Sequence, residues 1–225
     1  MRRENGQNRG MSETWIRVAV LVPTFLFCLC LHEFAHAWVA TWLGDSTPKD
    51  SGRLTIQPMA HADVVGTLLL PSICIYYGLP FFGWAKPVPV DARNFKNPRR
   101  DMALVAGAGP LMNLILAAIM AGVLGIAVRT DWVVSGLSLS ESLQVLCIIG
   151  IQVNLFLAVF NLLPLPPLDG FNVLQAVLPL KWAAGVYRLA PYSGIILLVL
   201  LFTGGLSLLT TPVVFLMQSL VRLVT

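Results

Sequence analysis

The sequence predicts an all-α polytopic membrane protein, a helical bundle of about four to six transmembrane segments with a small β element and a re-entrant segment. Three observations predict it. Hydrophobic residues make up 56% of the 225-residue chain and Asp, Glu, Lys and Arg only 12%, against about 25% charged in an ordinary soluble domain. The few charges are clustered, which leaves long stretches nearly free of them. Five such stretches, Val18–Leu43, Val64–Ala85, Met102–Val128, Ser142–Leu168 and Leu189–Val221, reach the roughly 20 residues a helix needs to cross a bilayer core of about 30 Å. None alternates as the strands of a membrane barrel do.

The elements follow in order. Residues 1–13 form a polar tail, expected to be poorly ordered, and residues 14–225 a single membrane-embedded domain with its core at 18–172. The charged leader precedes an apolar run without a short h-region and cleavage site, so that run is read as a retained helix rather than a signal peptide. It is expected from about Thr14 to Leu43, with Pro23 a kink point, and Gly44-Asp45-Ser46-Thr47-Pro48 stops it. Arg53-Leu54-Thr55-Ile56-Gln57-Pro58 alternates like a short β element. Val64–Ala85 is apolar but broken by Pro71, Gly78, Pro80 and Gly83. Lys86–Asp101 is a basic loop whose Pro87-Val88-Pro89-Val90 reads as extended. Met102–Val128 is an uninterrupted span, and Arg129–Glu141 a short loop. Ser142–Leu163 is the next span, ending in a proline run that cannot continue a regular helix. Phe171–Leu180 reads as a short helix. Leu189–Val221 holds at least one more span, broken near Gly204-Gly205 and at Pro212.

The net charge of +4 belongs to loops beside anionic lipid, not to a nucleic-acid surface, because no basic face remains once the spans are removed. Cys28, Cys30, Cys74 and Cys147 all lie in apolar segments, where free cysteine behaves as a small hydrophobe. A disulfide framework is not expected.

The chemistry lies in His32-Glu33-Phe34-Ala35-His36. Residues four apart share a helix face, so His32 and His36 can bind one zinc ion together. Glu33 beside them can take the proton of a zinc-bound water. The bland alternative is a polar cluster that hydrogen-bonds neighbouring helices. Ionisable residues inside a span are costly and usually functional, about 2.5–3.5 kcal/mol for a central aspartate, lysine or arginine on insertion scales, which favours the metal. A catalytic zinc takes three protein ligands and leaves a position for water. Three residues are candidates for the third: His61, Cys28 and Asp169. Asp169 is favoured, since it ends a broken, uncharged segment at membrane depth. Its competing role is the N-cap of the helix that follows.

Three motifs now carry a resemblance to the site-2 protease family of intramembrane zinc metalloproteases, in a short form without a PDZ domain. They are His32-Glu33-Phe34-Ala35-His36, Ala106-Gly107-Ala108-Gly109-Pro110-Leu111-Met112-Asn113, and Asn161-Leu162-Leu163-Pro164-Leu165-Pro166-Pro167-Leu168-Asp169-Gly170. The resemblance implies one catalytic Zn²⁺ held by His32, His36 and Asp169, with Glu33 as general base. It places Asn161 near the site, where its amide could donate to an oxyanion, and suggests the same vicinity for Asn113. An interhelical hydrogen bond is the competing role of each asparagine, and the favoured one for Asn113. His61 is a further site-lining candidate, against a plain loop histidine. The implied partner is a transmembrane protein substrate in the lipid bilayer. A zinc transporter or metal-sensing membrane protein using the same ligands is the alternative, and it would not need Glu33. A catalytically silent relative is disfavoured by the intact motif and Asp169.

Geometry constrains topology. His32 and Asp169 must meet at one depth, so the first and fourth apolar runs point the same way. One of the two runs between them therefore does not cross, and Val64–Ala85 is the expected exception. Nine of the 15 lysines and arginines then fall on the active-site side (Lys49, Arg53, Lys86, Arg93, Lys96, Arg99, Arg100, Lys181 and Arg188). Five, Arg2, Arg3, Arg9, Arg17 and Arg129, fall opposite. The positive-inside rule then puts the site toward the cytoplasm of a cell membrane. The β element near Arg53–Gln57 is expected to pair with an extended substrate by strand addition.

Overall fold

A computed structural model describes residues 2–79, 82–130, 133–134, 137–188, 190–203, 205 and 207–224. Helix α1, Arg2–Trp42, begins before the expected Thr14; its apolar span is Val18–Trp42. Pro23 sits inside it. The helix stops where Gly44 takes φ 110° and Asp45 N–H bonds back to the Ala40 carbonyl at 2.9 Å. Short helices α2 (Thr47–Asp50) and α3 (Pro58–His61) follow.

The β element expected at Arg53–Gln57 is absent: Leu54 and Thr55 form a bend and the residues beside them no regular element. Side chains take the backbone groups that a ladder would need. Thr55 Oγ1 accepts from Gln57 N–H, His61 Nε2 donates to the Thr55 carbonyl at 2.9 Å, and Cys30 Sγ donates to the Ile56 carbonyl. Among the described residues the strands are β1 (Val133–Val134) and β2 (Leu137–Ser138), an antiparallel pair between two long helices.

The segment 64–85 folds back on itself. Asp63 caps a π-helical turn, Val64–Leu69, by accepting from Val65 and Gly66 N–H. Helix α4, Leu70–Tyr77, ends at Gly78 with φ 65°. The chain then returns to its starting point. Trp84 N–H bonds to the Gly66 carbonyl at 3.0 Å, Thr67 Oγ1 donates to the Trp84 carbonyl at 2.8 Å, and Lys86 N–H bonds to the His61 carbonyl at 2.9 Å. At the far end the Tyr76 ring lies 6.3 Å from that of Trp15, tilted by 47°, and Trp15 is 17 residues before His32 on α1 and so about 25 Å away along the helix. Gly66 permits the closure, because a Cβ there would run into the Trp84 indole.

Helix α5, Pro98–Arg129, is the central element and packs on α1 and on α6, Leu139–Asn161. Small residues let the helices approach. Ala117, Ala121 and Leu124 of α5 meet Cys147, Ile151 and Leu155 of α6, and Phe25, Cys28 and Leu29 of α1 meet Val153 and Leu157. The outward face of α5 exposes Leu111, Ile115, Ile119 and Ile126, which suits lipid.

After α6 the chain runs through a cis Pro166–Pro167 bond into α7, Asp169–Val177. The Arg99 guanidinium caps the far end of α7 on the Gln175 and Leu178 carbonyls. Helices α8 (Leu180–Tyr187), α9 (Ser193–Phe202) and α10 (Ser207–Val224) complete the chain. Pro212 lies within α10 and does not break it. Val213 joins the core of α5 and α6. Among the described residues four helical stretches are long and apolar enough to cross a membrane: Val18–Trp42, Pro98–Arg129, Leu139–Asn161 and Lys181–Leu200. The five apolar runs of the sequence therefore do not map onto five crossings.

Candidate active site

One helical turn separates His32 from His36, and both rings point to the same side of α1, their centroids 4.6 Å apart. The prolines after α6 bring Asp169, the first residue of α7, against them. Asp169 Oδ2 lies 3.2 Å from His32 Nε2 and 3.4 Å from His36 Nε2, and the two Nε2 atoms are 3.0 Å apart. Both histidines are buried. The helix N-cap is Leu168, so Asp169 does not serve as the cap.

These three atoms fit a zinc ion. Bonds of 2.0–2.2 Å in a tetrahedron put ligand atoms about 3.3–3.6 Å from one another, close to the observed 3.0–3.4 Å. The chemistry of the donors agrees. His36 Nδ1 lies 2.7 Å from the Val105 carbonyl, which can only accept, so Nδ1 carries the proton and Nε2 presents a lone pair. His32 reaches the same tautomer through a longer route. The Gly150 carbonyl accepts from Asn154 Nδ2 at 2.9 Å, which turns Asn154 Oδ1 toward Asn113 Nδ2 at 2.8 Å. Asn113 Oδ1 then faces His32 Nδ1 at 2.6 Å, so that nitrogen donates and Nε2 is left free. Asp169 Oδ2 is buried with no hydrogen-bond partner. Three electron-pair donors that converge without a proton between them call for a cation.

Two glycines make the convergence possible. A Cβ on Gly109 would collide with the His32 and His36 rings, so only glycine lets α5 lie against them. A Cβ on Gly170 would run into the Leu162 and Leu163 carbonyls, so only glycine lets α7 start so close to the end of α6.

Glu33 is half-buried beside the histidines, and Oε2 accepts from Val88 N–H at 3.2 Å. The strap 84–91 that carries Val88 lines two cavities, and Pro87 belongs to both. One, of about 310 Å³, contains His32, Glu33, His36, Asn161 and Asp169. The other, of about 630 Å³, shares His32, Glu33 and Asn161 but is otherwise apolar, with Leu29, Phe82, Trp84, Leu157, Phe160 and Leu198 in its walls. Asn161 uses one amide hydrogen on the Leu157 carbonyl of its own helix at 2.9 Å, which leaves the other for a ligand.

Two candidate third ligands lie elsewhere. Cys28 is buried and its sulfur meets Asn154 Nδ2 at 3.1 Å, and His61 is buried on the Thr55 carbonyl. His61 is in neither cavity; its backbone carbonyl anchors the strap at Lys86. Asn113 supports His32 and also makes the interhelical bond expected of it. Asn154, the Val105 carbonyl and Val88 N–H escape the sequence reading. Asn154 had a signal, a lone amide inside an uncharged span; the two backbone groups had none.

Comparison with known proteins agrees with this chemistry. The chain is 42% identical over 184 residues to "Putative zinc metalloprotease YwhC" of Bacillus subtilis, covering 81% of this chain and 80% of the relative. It is 31% identical over 202 residues to "Putative zinc metalloprotease Rip2" of Mycolicibacterium smegmatis, covering 86% of this chain and 71% of that one. The Rip2 of Mycobacterium tuberculosis strain Erdman is 32% identical over 186 residues, or 76% of this chain and 65% of the relative. No family model and no solved structure matches the chain.

Proposed function

The chain belongs to the site-2 protease family of zinc metalloproteases, and from that premise we propose that it is an intramembrane endopeptidase that cuts membrane-spanning protein substrates. The observation that carries the proposal is the joint placement of a three-ligand metal site and Glu33 at the end of a large apolar cavity between candidate spans. An apolar chain segment fits that cavity; a hydrated ion path does not.

His32, His36 and Asp169 would hold the zinc. When bound, the zinc polarises the scissile carbonyl and lowers the pKa of water toward about 7. Glu33 takes the proton of the attacking water and returns it to the leaving amine. Val88 N–H fixes one oxygen of that carboxylate, leaving the other to work. The free amide hydrogen of Asn161 is placed to donate to the oxyanion, a contribution of about 2.7–4 kcal/mol where such donors are measured. The apolar walls receive the substrate side chains and exclude water. The site faces the cytoplasmic side of a cell membrane on the charge distribution of the loops.

The experiment pairs wild type with Glu33→Gln, each reconstituted with a panel of single-span reporter proteins. The expected outcome is about one zinc per chain in both and cleavage only by wild type, with Glu33→Gln slower by at least about a hundredfold. Zinc bound by both and cleavage by neither would favour a transporter or metal sensor.

A further inference from the structure

Asp45 is a buried carboxylate that accepts four hydrogen bonds, and neither the metal nor the proposed reaction explains it. It is fully buried. Oδ1 accepts from Thr47 N–H at 3.1 Å, Thr47 Oγ1 at 2.6 Å and Asn94 Nδ2 at 2.7 Å, and Oδ2 accepts from Asp91 N–H at 2.8 Å. Burial pushes its carboxyl up, and the bonds from Thr47, Asn94 and Asp91 outweigh this and hold it below the ordinary value. The carboxylate is presented by the end of the catalytic helix itself: Gly44 turns the chain with φ 110° and its N–H donates to the Thr41 carbonyl at 3.2 Å.

Asp91 N–H is the end of the strap 84–91, and Asn94 follows it three residues on. That strap is tied at its start by Trp84 and Lys86 to Gly66, Thr67 and His61. Between the two ties Pro87 and Pro89 lack N–H groups, and Val88 N–H reaches Glu33. The register of that single donor depends on where the strap's two ends are fixed. Asp45 fixes one of them, 12 residues beyond Glu33 on the same stretch of chain.

We propose that Asp45 is a positioning residue for Glu33: by clasping Asp91 and Asn94 it holds the strap in the register at which Val88 N–H orients the general base. This rests on the protease reading. Releasing the clasp lets the strap slide, leaves Glu33 free to rotate, and slows proton transfer without touching the zinc ligands.

The test uses the full chain in liposomes with the single-span reporter that wild type cleaves best. Asp45→Ala, Val88→Pro and the double variant are compared for kcat, KM and zinc content. The rate of thiol labelling at Val90→Cys is measured with and without Asp45→Ala. The expected result is a fall in kcat of about a hundredfold for each single variant, the scale of a roughly 1 Å misplacement. Zinc stays at the wild-type level, the double variant is no slower than the slower single one, and labelling at position 90 accelerates when Asp45 is lost. Should Asp45→Ala lose zinc, Asn94→Ala, which removes one strap-side donor and leaves the carboxylate, decides on the same criteria. Faster labelling with unchanged kcat overturns the proposal, as do losses in the double variant that multiply. Wild type that cleaves nothing instead removes the protease reading beneath it, whereas active wild type with inactive Glu33→Gln and fully active Asp45→Ala removes this proposal alone.

Discussion

His32 has no choice of tautomer, and the reason lies three residues away through space. A backbone carbonyl at Gly150 orients Asn154, Asn154 orients Asn113, and Asn113 leaves His32 Nε2 bare. Partners behind metal-bound histidines are worth about ten- to a hundredfold in metal affinity. Asn154→Leu keeps the volume and breaks the chain, so zinc affinity measured by chelator competition should fall by about that factor, with helix content unchanged. Equal affinity would show that Asn113 orients itself. At this scale His32, Glu33, His36 and Asp169 were legible in the sequence because their spacing and their rarity in apolar segments both point to function. Asn154 was less so, since one amide in a span has an adequate role as an interhelical bond. Val88 N–H and the Val105 carbonyl were not legible at all, because every residue has such groups.

Among the elements, the long apolar helices follow from composition and their ends from glycine and proline. The segment 64–85 was legible as an exception through Pro71, Gly78 and Gly83, and through the demand that His32 and Asp169 meet at one depth. Its closure by Gly66, Thr67 and Trp84 was not, because it depends on contacts between residues 17 or 18 apart. Closure has a measurable consequence. Met59→Cys and Lys86→Cys, both exposed, should label from the same face of sealed vesicles, and Thr130→Cys, beyond the α5 crossing, from the opposite one. Labelling of positions 59 and 86 from opposite faces would make 64–85 a full crossing. The Arg53–Gln57 alternation misled because period-two patterning marks a strand only where another strand is available. Here His61, Cys30 and the Thr55 hydroxyl satisfy the backbone locally.

For the whole molecule, four candidate spans and a returning hairpin bring α1, α5, α6 and α7 around one buried point. The apolar bundle has little use for that point except to hold an ion. Composition identified a membrane protein; the two histidines on one face identified the kind of work it does. Glu33, the strap and both cavities take their meaning from the ligand set. X-ray absorption at the zinc K edge of the purified wild-type protein tests that set most directly. The account predicts only nitrogen and oxygen scatterers at about 2.0–2.2 Å, with the imidazole signature of two histidines. A sulfur scatterer at about 2.3 Å would put Cys28 or another cysteine on the metal and contradict it.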